Sequence, residues 1–326
     1  MRHVDFDLKI IHTTKNQRRG ISLAEKRNKE KDSLPTNKND AKNHIEIKSL
    51  PEYIKQITKY TKNELKLKCY RGQHNSEWEN IPSLFRPSMK KFSCHEKQAV
   101  RDLIAVHPAE FADDKTMFDR LVRMQHFGLP TRLLDVSKNP LVALYFATEF
   151  DLKKERNNGK VTAFAIPKER EKYFDSDSVS CIANLANMTE EEKKKISSLR
   201  ESKKTRFPNK EEVYKRLHQF IRNEKAYFLP IIKPIDLFKP YYVHPKMSNR
   251  RILSQSGGFI IFGITPAKRI NYTHKFEETE FLIPFEKKEK IRNQLELIGI
   301  SNSTLFPELG PAADRIIKNY SASGRP

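Results

Sequence analysis

Long apolar runs are missing from this chain. None reaches the roughly 18 residues that a membrane-spanning helix requires, and the opening residues MRHVDFDLKI hold no extended apolar stretch of the kind a secretory signal carries. No membrane partner and a cytoplasmic location are therefore expected. Cysteine is scarce as well. Cys69, Cys94 and Cys181 are odd in number, far apart and outside any CxxC pair. That pattern excludes a disulfide framework, fits a reducing compartment and gives no reason to expect a metal. Cys69 reads as a lone buried thiol. Several catalytic signatures are also absent: GxGxxG ahead of a helix, GxxxxGK followed by Ser or Thr, HExxH and GxSxG. A P-loop NTPase, a zincin and an α/β-hydrolase are poor fits. There is no fixed-period repeat.

What the chain does have is positive charge. Its 326 residues carry 62 Lys and Arg against 41 Asp and Glu, a net of +21. The excess is uneven: +8 over residues 1–68, +2 over 69–148, +5 over 149–228 and +6 over 229–326. Such a field attracts polyanions, nucleic acid first among them. Solubility is the alternative reading, because Asp and Glu interleave most basic stretches. With 37% hydrophobic residues, including 20 Phe and 11 Tyr, the chain can still bury a core.

Residues 13–48 are polar and hold few large apolar side chains, so residues 1–48 read as a basic flexible arm. Ser49–Asn63 has helical spacing, with Tyr53, Ile54, Ile57 and Tyr60 on one side. LKLKCYRG (65–72) alternates like a strand. Phe92–Phe111 and Lys115–Phe127 read as helices, the second stopped by Gly128-Leu129-Pro130. Arg132–Val136 is a short strand, and Asn139 then caps an apolar helix that starts at Pro140. VTAFAIP (161–167), AYFLPII (226–232), GFIIFGI (258–264) and EFLIPF (280–285) read as further strands. Residues 168–225 are charged and weakly periodic, which suggests an inserted helical subregion. Helices at Lys287–Ile298 and Ala312–Tyr320 flank a loop, and residues 321–326 form a tail. Strands and helices mixed without regular alternation indicate an α+β fold.

Three segments concentrate candidate chemistry. Tyr70-Arg71-Gly72-Gln73 puts an Arg at a strand end, where its planar fork suits a phosphate or carboxylate. Gly72 there permits close approach of a ligand to the backbone, and the bland alternative is an Arg paired internally. Residues 123–148 pack Gln125, His126, Thr131, Arg132, Asp135, Ser137 and Asn139 among apolar side chains. An extended Arg132–Ser137 would turn Asp135 and Ser137 to one face, and the helix starting at Pro140 would offer N–H groups to an anion. Each polar residue alone has a plain structural reading: a core histidine, an internal ion pair, a cap. As a cluster they point to a ligand site. The third segment, Arg250–Phe259, places Gln255 and two glycines before an apolar strand. Gln255 can both donate and accept, as a ribose diol requires, or the segment is a turn feeding the core.

At these residues the chain resembles the FRG domain family. YRGQ (70–73), PSLFRP (82–87), RMQHFGLPTRLLDVSKNPLVALYFA (123–147), ILSQSGGFIIF (252–262) and IGISNSTLFPELGPAADRI (298–316) carry the resemblance, over about residues 49–320. Residues 168–225 depart from it. The motif pattern in turn resembles the ADP-ribosyltransferase superfamily. That resemblance implies a mixed β core with flanking helices, NAD as substrate, and a place among toxins or anti-phage effectors, with an antitoxin or chaperone as a further partner. Carried onto this sequence, it implies that Arg71 holds the NAD phosphates or ribose, that Asp135 and Ser137 fill the second motif, and that Gln255 takes the late position. A Glu is usual there, and an amide cannot act as a base. His126 is then the candidate base, since imidazole titrates near neutrality. Tyr70, Gly72, Gln73, Thr131, Arg132, Ser137 and Asn139 are expected to line the cofactor, with Tyr70 or Phe127 stacking on a ring. The acceptor is expected to be nucleic acid, RNA before DNA. Two rivals remain: an RNA-cleaving or RNA-binding protein without NAD chemistry, and a non-catalytic nucleotide- or protein-binding module.

Overall fold

The computed structural model describes residues 44–61, 66–149, 156–201, 211–247, 250–264 and 276–307. All belong to the second of two units into which the chain divides, Asn43–Pro326. Residues 1–43, the expected helix at Ala312–Tyr320 and the tail lie outside the described residues. Eight strands form one mixed sheet: β1 His44–Glu46, β2 Leu67–Gln73, β3 Leu133–Ser137, β4 Gly159–Ile166, β5 Glu171–Tyr173, β6 Tyr241–His244, β7 Gly257–Ile261 and β8 Glu277–Ile283. Their spatial order is β1-β8-β4-β2-β3-β7-β6-β5. The β1–β8 and β5–β6 pairs at the two edges are parallel and all other pairs antiparallel. Eleven described helices complete an α+β fold: α1 Leu50–Thr61, α2 Lys90–Ser93, α3 Glu96–Val106, α4 Met117–His126, α5 Pro140–Ala147, α6 Asp177–Ala183, α7 Glu190–Glu201, α8 Glu212–Glu224, α9 Arg250–Ser254, α10 Phe285–Leu297 and α11 Asn302–Leu305. Among the described residues no helix is long and apolar enough to cross a membrane.

The sheet is two half-sheets with a narrow joint. β2 pairs with β4 along its whole length, from Leu67↔Ile166 to Gln73↔Lys160. β3 likewise pairs with β7 from Leu133↔Ile261 to Ser137↔Gly257. Between β2 and β3 there is one register pair, Tyr70↔Ser137. Beyond it the strands diverge.

Both half-sheets bury the same face, because paired residues on neighbouring strands point the same way. On the first half, Tyr70, Val161, Ala163, Phe281 and Ile283 pack with α1, α5, α10 and α11. On the second, Leu133, Tyr241, Val243, Phe259 and Ile261 pack with α4, α6, α7, α8 and α9. The opposite face is smaller, with Cys69, Leu134, Val136, Phe164, Tyr242 and Ile260. Cys69 is indeed fully buried there.

Several expectations are corrected. AYFLPII forms no strand: Pro230 lacks an N–H, the Ile231 N–H turns back to Leu229 O at 2.7 Å, and Tyr227, Leu229 and Ile231 stay exposed. The strand in this region is β6, from YYVH. Phe92–Phe111 is not one helix, since α3 begins at Glu96 and ends before Pro108. Within residues 44–48, assigned to the arm, His44–Glu46 pair with β8 and Ile47 is completely buried. The stretch 168–225 is helical but is no surface appendage. It adds the edge strand β5 and sends Val179, Ile182, Ile196, Leu217 and Ile221 into the core of the second half.

Packing of α5 is limited by two glycines. A Cβ on Gly72 would stand 1.8 Å from the Ala143 carbonyl oxygen, and one on Gly159 would stand 2.0 Å from that of Ala147. Gly72 is thus required because a helix lies on it. Both obstacles are backbone, so neither can swing aside. Gly72→Ala is expected to cost about 3 kcal/mol, at the upper end for overpacking, read as a lowered urea midpoint with an unchanged slope.

Candidate functional site

A cleft of about 280 Å³ opens over the joint, between the two helical groups. Its floor is Tyr70, Arg71 and Gly72 from β2, Asp135, Val136 and Ser137 from β3, and Gly257, Gly258 and Phe259 from β7. Val142, Ala143 and Phe146 of α5 form one wall, and Val122, Gln125 and His126 of α4 with Arg251, Ile252 and Gln255 form the other. The structure therefore brings together Tyr70, Arg71, Gly72, His126, Asp135, Ser137 and Gln255, from three separated stretches of sequence.

Arg71 spans the divergence of the strands. Its Nη1 donates to the backbone carbonyl of Asp135 at 2.7 Å, an acceptor that a continuous β2–β3 ladder would use. Its Nε is buried and has no partner. Burial lowers the affinity of the guanidinium for its proton, and nearby Arg86 adds to this, while the Asp135 carboxylate opposes it. The group still remains a cation. A half-buried cation whose Nε–H is buried and unmet is a costly arrangement that an anion in the cleft would relieve.

Asp135 itself is exposed, and its carboxylate makes no hydrogen bond among the described residues. It is the one carboxylate among the residues lining the cleft. Ser137 is buried and fully engaged: its Oγ donates to Gln255 O at 2.7 Å and accepts from the Asn139 N–H at 2.9 Å. Gln255 in turn donates from Nε2 to Leu305 O at 3.1 Å, an acceptor shared with Ser254 Oγ at 2.9 Å. Between them Ser256 holds φ at +47°, a left-handed conformation rare outside glycine. Its carbonyl accepts the Lys138 N–H at 2.9 Å, which braces the turn against the start of α5. Such strain persists only where surrounding contacts fix it.

His126 is the last residue of α4. The helix begins in a capping box made by Thr116 and Asp119 and stops at Gly128, whose φ is +89°. The His126 ring lies 5.2 Å from that of Phe127, edge to face. Tyr70, expected to stack on a ligand, is 97% covered, and burial first, then Cys69, pushes its phenol up to about 12.

Four expected ligand-binding residues are used elsewhere. Gln73 lies beyond the cleft with its Nε2 on Glu79 O. Thr131 Oγ1 donates to Gln125 Oε1 and accepts the Leu133 N–H. Asn139 Oδ1 caps α5 through the Leu141 N–H at 2.9 Å. With Pro140 lacking an N–H and the Leu141 N–H engaged, that first turn has little to offer an anion. Arg132 is 1% exposed and grips Glu96 with two bonds of 2.9 and 2.5 Å. It also donates to Phe262 O at 3.0 Å, and Lys193 completes the cluster on Glu96 at 2.7 Å. Its guanidinium ties α3, α7, β3 and β7 together and faces no ligand. Conversely, Arg251 and Phe146 line the cleft without having been singled out. Arg251 was legible only as part of a basic pair, and Phe146 reads as ordinary helix core.

NAD is the group that the resemblance implies. The orphaned Arg71 Nε, Arg251 and the single carboxylate suit a ligand with phosphates and a ribose. At about 280 Å³ the cleft is at the lower bound for small-molecule sites, so it could enclose only part of a dinucleotide. Among the described residues no group of three or more His, Cys, Asp or Glu is placed to hold a metal ion. The FRG domain family matches residues 66–156, which include Arg71, His126, Asp135 and Ser137 but neither Arg251 nor Gln255. No curated protein and no solved structure matches the chain.

Removing Arg132 would strand a buried carboxylate. Arg132→Ala is expected to lose about 3–5 kcal/mol in denaturant unfolding. Burial raises the Glu96 pKa, but Arg132 and Lys193 together outweigh it and hold the carboxyl below its usual range. Its contribution is therefore present above the unfolded-state value of about 4.3 and is lost as pH falls through the lower folded value. Unfolding curves at neutral pH and below pH 4 should show this acid loss in the wild type and a weaker one in Glu96→Gln.

Proposed function

Since the chain carries an FRG domain over residues 66–156, we propose that its cleft binds NAD and transfers ADP-ribose to a macromolecular acceptor, nucleic acid with RNA before DNA. The observation that carries this reading is Arg71, a half-buried cation bridging the two half-sheets, with its Nε buried and without a partner beside the cleft. When bound, NAD supplies a glycosidic bond from which nicotinamide departs with the bonding electrons. Arg71 and Arg251 hold the phosphates. Asp135, unpaired and alone of its sign in the lining, stabilises positive charge developing on the ribose. Gln255, oriented by Leu305 O, fixes the ribose hydroxyls, and Ser137 keeps Gln255 in place through its carbonyl. His126, on the opposite wall from α5, accepts the proton released by the attacking acceptor. The chain's contribution is orientation and a fixed field rather than covalent chemistry. The setting that goes with this reading is a toxin or anti-phage effector.

The test is incubation with adenylate-labelled NAD in separate mixtures of RNA, DNA and cell lysate. Wild type is expected to transfer label to RNA, and Arg71→Ala to be slower by about 100-fold, the scale for loss of one electrostatic donor. Absence of both transfer and nicotinamide release in every mixture overturns the proposal. Breakdown of RNA with no NAD added would replace it with nuclease chemistry.

A further inference from the structure

The segment SNSTLF, Ser301–Phe306, gives the reaction above a single carbonyl, yet here one half of the sheet's packing grips the other beside the cleft. By packing it belongs to the first half. Leu305 is buried in the core around Tyr70 and α5, and Phe306 lies against the same core. Its shape is set locally. The Ser301 side chain accepts the Thr304 N–H, and Thr304 Oγ1 accepts the Ser301 N–H at 2.9 Å, a capping box that starts α11. Three contacts then cross to α9 and the residue after it, whose anchor Ile252 is buried in the second half. Leu305 O accepts from Ser254 Oγ at 2.9 Å and from Gln255 Nε2 at 3.1 Å, and the Arg251 guanidinium lies over the Phe306 ring, 4.8 Å from its centre. The Phe306 ring also meets that of Phe146 edge to face, with centres 6.1 Å apart. Phe146 and Arg251 line opposite walls of the cleft, and Phe306, behind the lining, touches both.

We infer that Ser301–Phe306 clasps α9 to the first half and that Phe306 is a positioning residue, holding Arg251 in place for the ligand's phosphates, an inference that rests on reading Arg251 as a phosphate-binding group. An arginine side chain has many rotamers. One left to swing loses part of its attraction for a phosphate to the cost of being ordered. A ring beneath the guanidinium removes that freedom before the ligand arrives. The ring acts through its quadrupole and not through a hydrogen bond, so the contact takes up no N–H donor. Phe306 is itself fixed between Phe146 and the core, so the position it passes to Arg251 is a defined one. Loss of the ring therefore loosens the phosphate contact and leaves the groups assigned to the ribose and the acceptor, Asp135 and His126, where they are.

ADP carries the diphosphate of NAD without its reactive bond, so it reports the phosphate contact apart from catalysis. The full chain is titrated with ADP by calorimetry, and nicotinamide release from NAD is followed in parallel. Wild type is compared with Phe306→Leu, Phe306→Tyr, Arg251→Ala and the double variant carrying Phe306→Leu and Arg251→Ala. Phe306→Leu is expected to weaken ADP binding and to raise KM for NAD by about 5-fold, the scale of one cation–π contact, with kcat nearly unchanged. Phe306→Tyr keeps the ring and should stay near wild type. In the double variant the Leu substitution should add nothing to Arg251→Ala, because its effect runs through that residue. A ring with a merely structural role would instead give the same loss in both backgrounds. Unchanged ADP binding by Phe306→Leu, or full additivity with Arg251→Ala, overturns the clasp, and nicotinamide release by wild type then leaves the transferase reading standing. ADP binding with the coupled Phe306 and Arg251 effects but no nicotinamide release supports the clasp and overturns the transferase reading. A wild type that binds neither ADP nor NAD overturns both.

Discussion

β2 and β3 meet at one register pair, Tyr70↔Ser137, and everything at the site follows from that narrow joint. A sheet that continued across it would satisfy its own carbonyls and leave no room between the helical groups. Because the strands part after the joint, the Asp135 carbonyl is released from ladder bonding and taken by Arg71. The guanidinium is thereby drawn into a partly dehydrated position that a side chain on a continuous sheet would not adopt. The cleft and its cation are one consequence of a single topological choice.

Holding such a joint open requires two stiff halves. The first half gains stiffness from α5, seated on Gly72 and Gly159 so closely that a single added carbon would strike helix backbone. The second half is tied by Arg132, Glu96 and Lys193, a buried three-way charge cluster joining two strands and two helices. The charge cluster does not line the cleft, whereas Gly72 and Ala143 do, and both devices lie within a few residues of its polar groups. Gly72 follows Arg71, and Arg132 precedes Asp135 by three positions. Density of polar residues in residues 123–148 therefore has two sources, one facing the ligand and one facing the core.

This mixture explains what could and could not be read from the residues alone. Arg71, His126, Asp135, Ser137 and Gln255 converge as expected, because polar groups embedded in apolar runs must meet partners or a cavity. Arg132, Thr131 and Asn139 look the same in sequence, yet they are satisfied by Glu96, Gln125 and the α5 cap. Only long-range packing separates the two sets: Glu96 is 36 residues from Arg132. AYFLPII has strand composition, but Pro230 lacks an N–H and both sides of β6 are already taken, by β7 and β5. β1 was hidden for the opposite reason. A three-residue strand in a polar segment has no periodicity to show, and its anchor, Ile47, lies just past it. The mixed α+β class was legible because it depends on element types, which survive errors at individual boundaries.

Charge distribution fits this division of labour. The stretch 69–148, which contains most of the cleft, carries a net of only +2 against +21 for the whole chain. Attraction at the site therefore cannot depend on piling up local cations. It would depend on one half-buried guanidinium with a buried, unmet Nε–H, where partial exclusion of water strengthens a single charge at short range. The remaining excess on the surface acts only over about a Debye length, and a field of that range would attract a polyanion without choosing among polyanions.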